Sequence, residues 1–478
     1  MENSTKTLLI GLFESWANEE ARSFVALPPS GSYREYYRIS GREKSALGVY
    51  NTDDKENVAF VEFTKSFGNQ GLPVPAVYAF EPGHHLYLLQ DLGDTTLFAF
   101  LQGIRKDNVF PDELLAFYKK TLDKLVLFQT KGRHCIDFSY CYPRGAFDRQ
   151  SMLWDLHYFK YYFLKLARIP FDEQLLEDDF NRFIGFLSEA GHDYFLYRDF
   201  QSRNVMVVND EPWFIDYQGG RKGALQYDVA SLLYDAKAGI PEDIRTQLLD
   251  HYLDTLSMHQ PVDRARFIAH YYGFVLIRLM QAMGAYGFRG FYEKKEHFLQ
   301  SIPPALRNLD YLLDHVQLPV HLPVLMNTLK LVARSETLQR ISAESSMLTV
   351  TIHSFSYKRG VPIDISGNGG GFVFDCRALH NPGKYDQYKP LTGKDKEVAR
   401  FLETQPEVAE FLGHAFAMVD ASVKKYQERG FKHLTVNFGC TGGQHRSVYC
   451  AERLAGHLEH CPNVKIDLKH VEQEMKRP

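Results

Sequence analysis

The sequence predicts two domains, a bilobal α+β domain followed by an α/β domain, and three observations carry that expectation. First, 478 residues exceed what one ordinary core can hold. Second, residues 30–100 are rich in strand-like stretches, whereas 112–190 and most of 225–335 carry helical periodicity. Third, "LTVNFGCTGGQHRSVYCAERLA" (434–455) reads as an apolar strand, a glycine turn and a helix opening at Arg446 or Ser447.

In chain order, "SYREYYRI" and "SALGVY" read as strands, "NVAFVEFTKSFGNQ" as a helix and "HHLYLLQDLGD" as a strand and turn. The aromatic stretch "MLWDLHYFKYYFLKLARI" sits in the helical region. Its spacing fits core packing, although a polar member such as Asp155 or His157 could meet a sugar hydroxyl. Two short strands then flank a polar loop, "YFLYRDFQSRN" and "VMVVNDEPWFIDY". The expected boundaries are a domain over 1–334, a linker over 335–347 and a domain over 348–478. In the latter, "MLTVTIHSFSYKRG" and "GGFVFDCRALHNP" are strands, 394–427 is helical, and "SGNGGG" (366–371) is a mobile connection.

Composition narrows the function classes. Hydrophobic residues at 45% and charged ones at 24% describe a globular protein, and no run approaches the roughly 18 apolar residues of a membrane helix. The N-terminal stretch lacks a basic n-region, so no signal peptide is expected. Six cysteines without a CxxC pair fit free thiols in a reducing cytoplasm. Residues 348–478 hold 18 basic against 15 acidic residues and the remainder 37 against 44, too mild an asymmetry for a polybasic nucleic-acid surface.

The string "YRDFQSRNVMV…WFIDYQ" carries the first constellation: Asp199, Asn204 five residues on, and Asp216 after the next strand. Phosphoryl transfer needs a carboxylate to take the attacking hydroxyl's proton. It also needs an amide oxygen and a second carboxylate for Mg2+ on the nucleotide phosphates. Oxygen donors suit Mg2+, so the expected cofactors are ATP and Mg2+.

This pattern resembles the aminoglycoside phosphotransferase and choline kinase family, relatives of protein kinases, over roughly residues 8–315. The matching stretches are "GSYREYYRI", "GLPVPAVYAFEPGHHLYLLQDLGD", "YRDFQSRNVMV", "FIDYQGGRKGALQYDVASLLYDA" and "RLMQAMGAYGFRGFYEKKEHFLQSIPPALRNLDYLL". Within that family it is most similar to the bacterial anomeric kinases of N-acetylmuramate and N-acetylglucosamine (AmgK-type). The resemblance implies a protein-kinase-like α+β bilobal fold with Asp199 as catalytic base, Asn204 and Asp216 on the metal, and Asp228 buttressing the loop. It implies a phosphate-covering turn at Ser30, Gly31 and Ser32, and an adenine hinge at Gln90, Asp91 and Leu92. The chain departs from the pattern in two places: Tyr197 and Gln201 stand where histidines are usual, and Tyr50 and Asn51 stand where strand three should offer a lysine. Phosphate neutralisation is then expected from Mg2+ and backbone N–H groups, and Glu62 is expected to be a surface residue.

The second constellation is the glycine turn. A strand entering such a turn and then a helix presents N–H groups and a partial positive charge to an anion. Thr441, Gln444, His445 and Arg446 crowd it beside Gly442 and Gly443, with Arg446 offering a bidentate fork. Cys440 and Arg446 also fit a Cys-x5-Arg phosphatase spacing, but Gly439 replaces the usual preceding histidine and no general acid is evident. Phosphate holding is therefore expected, with Cys440 packed as a small hydrophobe.

Residues 348–478 resemble the C-terminal domain of RapZ, the RNase adapter family, on "SFSYKRGVPIDI", "FVFDCRALHNP", "PLTGKDKEVARFL" and "GCTGGQHRSVYCAERLA". That resemblance implies binding of an amino-sugar phosphate such as glucosamine-6-phosphate through Arg377, Asn381, Thr441, Gly442, His445 and Arg446. RNA is a further partner of that family, but its basic tail is reduced here to Lys476 and Arg477. The expectation is a cytoplasmic ATP-dependent amino-sugar kinase of cell-wall recycling with a phosphosugar-binding domain. The alternatives are an RNA-binding or amino-sugar-sensing adapter and an antibiotic kinase.

Overall fold

The computed structural model describes residues 2–28, 34–105, 109–339, 347–362, 371–428 and 431–474. The chain divides into two compact units, Met1–Leu338 and Gln339–Pro478.

The first unit opens with helix α1 (Glu2–Ala17), followed by an antiparallel sheet of order β1-β2-β3-β5-β4. Its strands are β1 (Ser23–Ala26), β2 (Glu35–Ser40), β3 (Ser45–Tyr50), β4 (Val77–Glu81) and β5 (Leu86–Leu89). Leu9 and Phe13 of α1 bury against Ile39, Ala46 and Leu88, so this helix seals one face of the sheet. Between β3 and β4 runs α2 (Asp54–Asn69), begun by the Asp53 side chain accepting the Glu56 N–H at 3.1 Å. Its apolar face spaces Phe60, Phe63 and Phe67 at helical intervals. Phe60 stacks on Tyr217 at 5.2 Å, Phe67 packs on Phe195 at 5.0 Å, and Thr64 shares a 2.5 Å hydrogen bond with the Tyr217 hydroxyl. These contacts fix the start of α2, and thus Glu56, relative to the larger lobe.

That lobe is helical: α3 (Leu97–Ile104), α4 (Asp112–Cys135), α5 (Arg149–Phe159), α6 (Glu173–Leu187), α7 (Leu225–Leu233), α8 (Glu242–Ser257), α9 (Arg264–Tyr286), α10 (Glu296–Leu299), α11 (Ile302–His315) and α12 (Pro323–Ala333). Two small antiparallel ladders lie among the helices. Strand β6 (Tyr194–Leu196) pairs with β9 (Arg221–Gly223), and β7 (Val205–Val208) pairs with β8 (Glu211–Phe214). The β7–β8 turn is Asn209-Asp210, both at positive φ (50° and 60°), the two-residue hairpin chemistry that matches strand twist. The aromatic stretch divides its roles: Phe159 and Phe163 are buried, whereas Trp154 and Tyr161 are exposed. A helical turn at 336–339 buries Leu338, and 340–346 of the expected linker lie outside the described residues.

The second unit is a wholly parallel sheet of order β11-β12-β10-β13, formed by β10 (Leu348–Ser356), β11 (Gly371–Asp375), β12 (His433–Cys440) and β13 (Val464–His470). Helices α13 (Lys396–Glu403), α14 (Pro406–Glu428) and α15 (Arg446–Leu458) accompany it. The near-continuous apolar run of β12 is explained by its central place, covered on both faces. Of the expected connection at 366–371, residues 366–370 lie outside the described residues.

Candidate active site

The polar loop after β6 is held from three directions. The Asp228 carboxylate on α7, wholly buried, accepts the backbone N–H groups of Tyr197 (2.8 Å) and Arg198 (3.0 Å). Burial pushes that carboxyl up to about 7, with the two N–H donors pulling the other way. The Arg198 guanidinium meets Asp155 of α5 with both terminal nitrogens (2.8 and 2.6 Å) and donates to the Tyr227 hydroxyl at 2.7 Å. It also lies over the rings of Phe147 and Tyr227. Tyr197, where a histidine is usual, is buried among aromatic rings and donates its hydroxyl to the Ile215 carbonyl. That phenol ties the loop to the chain leaving β8.

So held, the loop presents Asp199 with its side chain about half exposed (47%). Asn204 donates Nδ2 to the Asp199 carbonyl at 2.8 Å and to Asp216 Oδ2 at 3.1 Å, bringing the three expected phosphotransfer residues together. Gln218 Nε2 holds the other Asp216 oxygen at 2.7 Å. Arg198 and Asp216 both have left-handed backbones, φ 82° and 68°, a strain that only an over-determined surrounding sustains. Asn204 and Asp216 offer the hard oxygen donors that suit Mg2+ shared with phosphates.

Near Asp199 lies a small pocket lined by Gln201, Ser231, Asp235, Arg278 and Tyr286 among others. Gln201 Nε2 is 3.4 Å from Asp199 Oδ1, and a terminal nitrogen of Arg278 is 3.7 Å from the same oxygen. Arg278 Nε donates to Ser231 at 3.0 Å, and Asp235 accepts the Ser202 hydroxyl at 2.6 Å. Asp155 and His157 are engaged elsewhere, with Arg198 and with Glu177 (3.0 Å).

On the small lobe, Gln90 is pinned to Ala76, just before β4: its N–H donates to Ala76 O (2.8 Å) and the Ala76 N–H donates to Gln90 Oε1 (3.2 Å). Asp91 is clamped by Arg38 and by the Gly93 N–H, and Leu92 is buried. Ser30, Gly31 and Ser32 lie outside the described residues. Glu62 pairs with Lys65 at 2.7 Å, away from this cluster. Asn51 is buried and donates to Glu56 (3.1 Å) and Asn57 (3.0 Å). One side-chain cation that the sequence reading did not name does lie beside Asp216. Arg34, the residue before β2, lies 2.5 Å from Glu56 and 3.2 Å from Asp216, with its side chain 4% exposed. Sequence reading missed Arg34, Glu56, Gln218 and Arg278. The only signal was a charged residue set among strand-forming aromatics in "SYREYYRI".

In the second unit the six expected anion-site residues gather at the C-terminal ends of β11 and β12, where parallel sheets present their ligand crevice. Thr441 and Gly442 are exposed on the turn, and Gly443 takes φ 65°, which a side chain would strain. The Cys440 sulfur lies beneath it, buried, accepting the Gly443 N–H and meeting the Ser447 hydroxyl, each at 3.2 Å. Arg446 is not an open fork: one terminal nitrogen donates to the carbonyls of Arg377 (2.8 Å) and Leu379 (2.9 Å). Its Nε is buried with no partner among the described residues. Arg377 pairs with Asp375 and covers the Tyr357 ring, 4.1 Å from its centroid. Asn381 accepts the Gly383 N–H, and His445 is bonded to the Tyr388 carbonyl at 2.9 Å.

Residues 26–267 match the model of the phosphotransferase enzyme family, and 348–474 that of the RapZ C-terminal domain. A nucleotide-binding protein of Nitrosomonas eutropha is 44% identical over 125 residues, 26% of this chain and 42% of its own length. One from Ruegeria pomeroyi is 34% identical over 188 residues, 39% of this chain and 60% of its own. The chain thus spans about two-fifths to three-fifths of these relatives. Among solved structures, an ethanolamine kinase of Plasmodium vivax (12% identity, 60% of this chain, 81% of its own, TM-score 0.44) is similar. So is a choline kinase of Cryptosporidium parvum (12%, 68%, 99%, TM-score 0.45). No helix among the described residues is long and apolar enough to cross a membrane. With its family match spanning half of the sequence, the chain belongs to the phosphotransferase enzyme family and carries a RapZ C-terminal domain beyond its kinase-like unit.

Proposed function

We propose that the chain is an ATP- and Mg2+-dependent phosphotransferase acting on a hydroxyl of a free amino sugar, N-acetylmuramate or N-acetylglucosamine, in cell-wall recycling. The observation that carries the phosphotransfer reading is the convergence of Asp199, Asn204 and Asp216 on a loop fixed by Asp228. Asp199, half exposed, would orient the acceptor hydroxyl and take its proton as the oxygen attacks the terminal phosphate. Asn204 and Asp216 are the residues that would hold Mg2+, which when bound screens the phosphate charge. Gln201 and Arg278, whose side chains lie 3.4 and 3.7 Å from Asp199, would help to orient the acceptor.

The amino-sugar class is supported by the sequence resemblance of the first unit and by the second unit, whose anion-type turn belongs to a RapZ C-terminal domain. In this reading the second unit holds an amino-sugar phosphate such as glucosamine-6-phosphate and modulates the kinase in the cytoplasm. A coupled ADP-release screen of free amino sugars beside aminoglycosides, with Asp199→Ala as control, tests it. Turnover confined to aminoglycosides would move the acceptor class, and an Asp199→Ala protein as fast as wild type would remove the site.

A further inference from the structure

A phosphotransferase of this architecture places one cation over the nucleotide phosphates and pairs it with an acid on the small-lobe helix, usually through a lysine on the third strand. Here β3 ends in Tyr50, and the next residue, Asn51, has its amide bonded to Glu56 and Asn57. The place is nevertheless filled. Arg34 reaches it from just before the neighbouring strand β2 and spans two acids that matter separately: Glu56, in the first turn of α2, and Asp216, the candidate metal ligand. Gln218 closes the group, 2.7 Å from Asp216 and 3.4 Å from Glu56.

Two features distinguish this arrangement from a purely structural ion pair. Asp216 is partly open, with 40% of its side chain exposed, so one side of the group faces the place where metal and phosphates would enter. Asn204 also binds the second Asp216 oxygen, so Arg34 adjoins the phosphotransfer trio directly. A guanidinium suits the task, since its planar fork can hold a carboxylate with one nitrogen and a phosphate oxygen with the other.

We propose that Arg34 is the nucleotide-phosphate-binding cation of this chain, supplied from the entry to β2 in place of the absent β3 lysine, with Glu56 as the acid that orients it. One terminal nitrogen stays on Glu56. The other exchanges Asp216 for a non-bridging phosphate oxygen when nucleotide enters, which frees Asp216 for the metal. The inference rests on the ATP use proposed above.

The test is titration of the full-length chain with a fluorescent ADP analogue in Mg2+ buffer, using wild type, Arg34→Gln, Arg34→Lys and Glu56→Gln. KM and kcat for ATP and for the acceptor are measured alongside. Arg34→Gln is expected to weaken nucleotide binding by roughly 10- to 100-fold, the span of a charge-assisted hydrogen bond. Arg34→Lys should recover part of the loss, and Glu56→Gln should weaken binding less. KM for ATP should rise while KM for the acceptor stays put. Arg34→Gln that binds nucleotide as wild type does overturns the proposal. So does a folded Arg34→Lys protein that binds nucleotide no better than Arg34→Gln, since a retained cation would then count for nothing. A wild-type chain that binds no nucleotide sinks the phosphotransferase reading itself.

Discussion

Arg198 and Asp155 meet two nitrogens on two oxygens, at 2.6 and 2.8 Å, although 43 residues separate them. The pair clamps the residue preceding Asp199 to the middle of α5, with both side chains largely buried (15% and 9% exposed). Asp155→Ala leaves the guanidinium charge buried without its acid, which is expected to cost about 3–5 kcal/mol. Urea unfolding followed by tryptophan fluorescence measures it, and a loss under about 1 kcal/mol would show that the Phe147 and Tyr227 rings hold Arg198 alone.

Asp199→Ala should behave in the opposite way. The side chain is half exposed, so stability should stay within about 0.5 kcal/mol of wild type while turnover falls roughly 10²- to 10⁴-fold. Melting curves beside coupled kinetics separate the two effects.

Asp228→Asn turns an acceptor of two backbone N–H groups into one that must aim an NH2 at a donor. A loss of about 1–3 kcal/mol is expected, with reduced turnover because the loop it anchors carries Asp199. Equal midpoints in urea for the two proteins would assign loop support to the Arg198–Asp155 pair and the β6–β9 ladder instead.

In the second unit, Arg446→Ala removes the donor shared by the Arg377 and Leu379 carbonyls. Calorimetric titration with glucosamine-6-phosphate should show affinity falling by roughly tenfold or more. Cys440→Ser should retain it, because a hydroxyl can accept the Gly443 N–H as the sulfur does. A Cys440→Ser protein that loses binding while Arg446→Ala keeps it would reverse these roles.

His470 gives a pH signature. Its ring bonds Ser354 (2.8 Å) and Glu452 (2.9 Å), and burial holds it below the usual 6.5, with Glu452 opposing and Lys394 assisting. The folded state therefore protonates less readily than the unfolded chain. The stability tied to this ring is full above 6.5 and is lost as pH falls through that value toward the lowered folded one. Melting temperatures at about pH 7.5 and 5.5 should diverge in wild type and diverge less in His470→Gln.

What could be read from the sequence was local. Asp199, Asn204 and Asp216 lie within one strand–loop–strand passage, so their spacing alone implied that they could meet. The glycine turn and its helix start at Arg446 were equally contiguous. Arg34 and Asp216 lie 182 residues apart, and nothing in "SYREYYRI" marks one arginine as buried. Strand β9 is three residues long, too short for any periodicity, and β13 is an edge strand whose lysines interrupt its apolar positions. The direction of the Arg446 fork was invisible because its partners are backbone carbonyls, which every sequence has.

The left-handed backbones of Arg198 and Asp216 bear on attempts to harden this protein against heat. Glycine would relax either backbone, but it would also strand Asp155 or Arg34 without its partner, so relief of strain is outweighed by the broken pair. One sits beside the candidate base and the other on the candidate metal site, so glycine at either should cost stability and turnover together. A thermostabilisation campaign should hold those two positions constant.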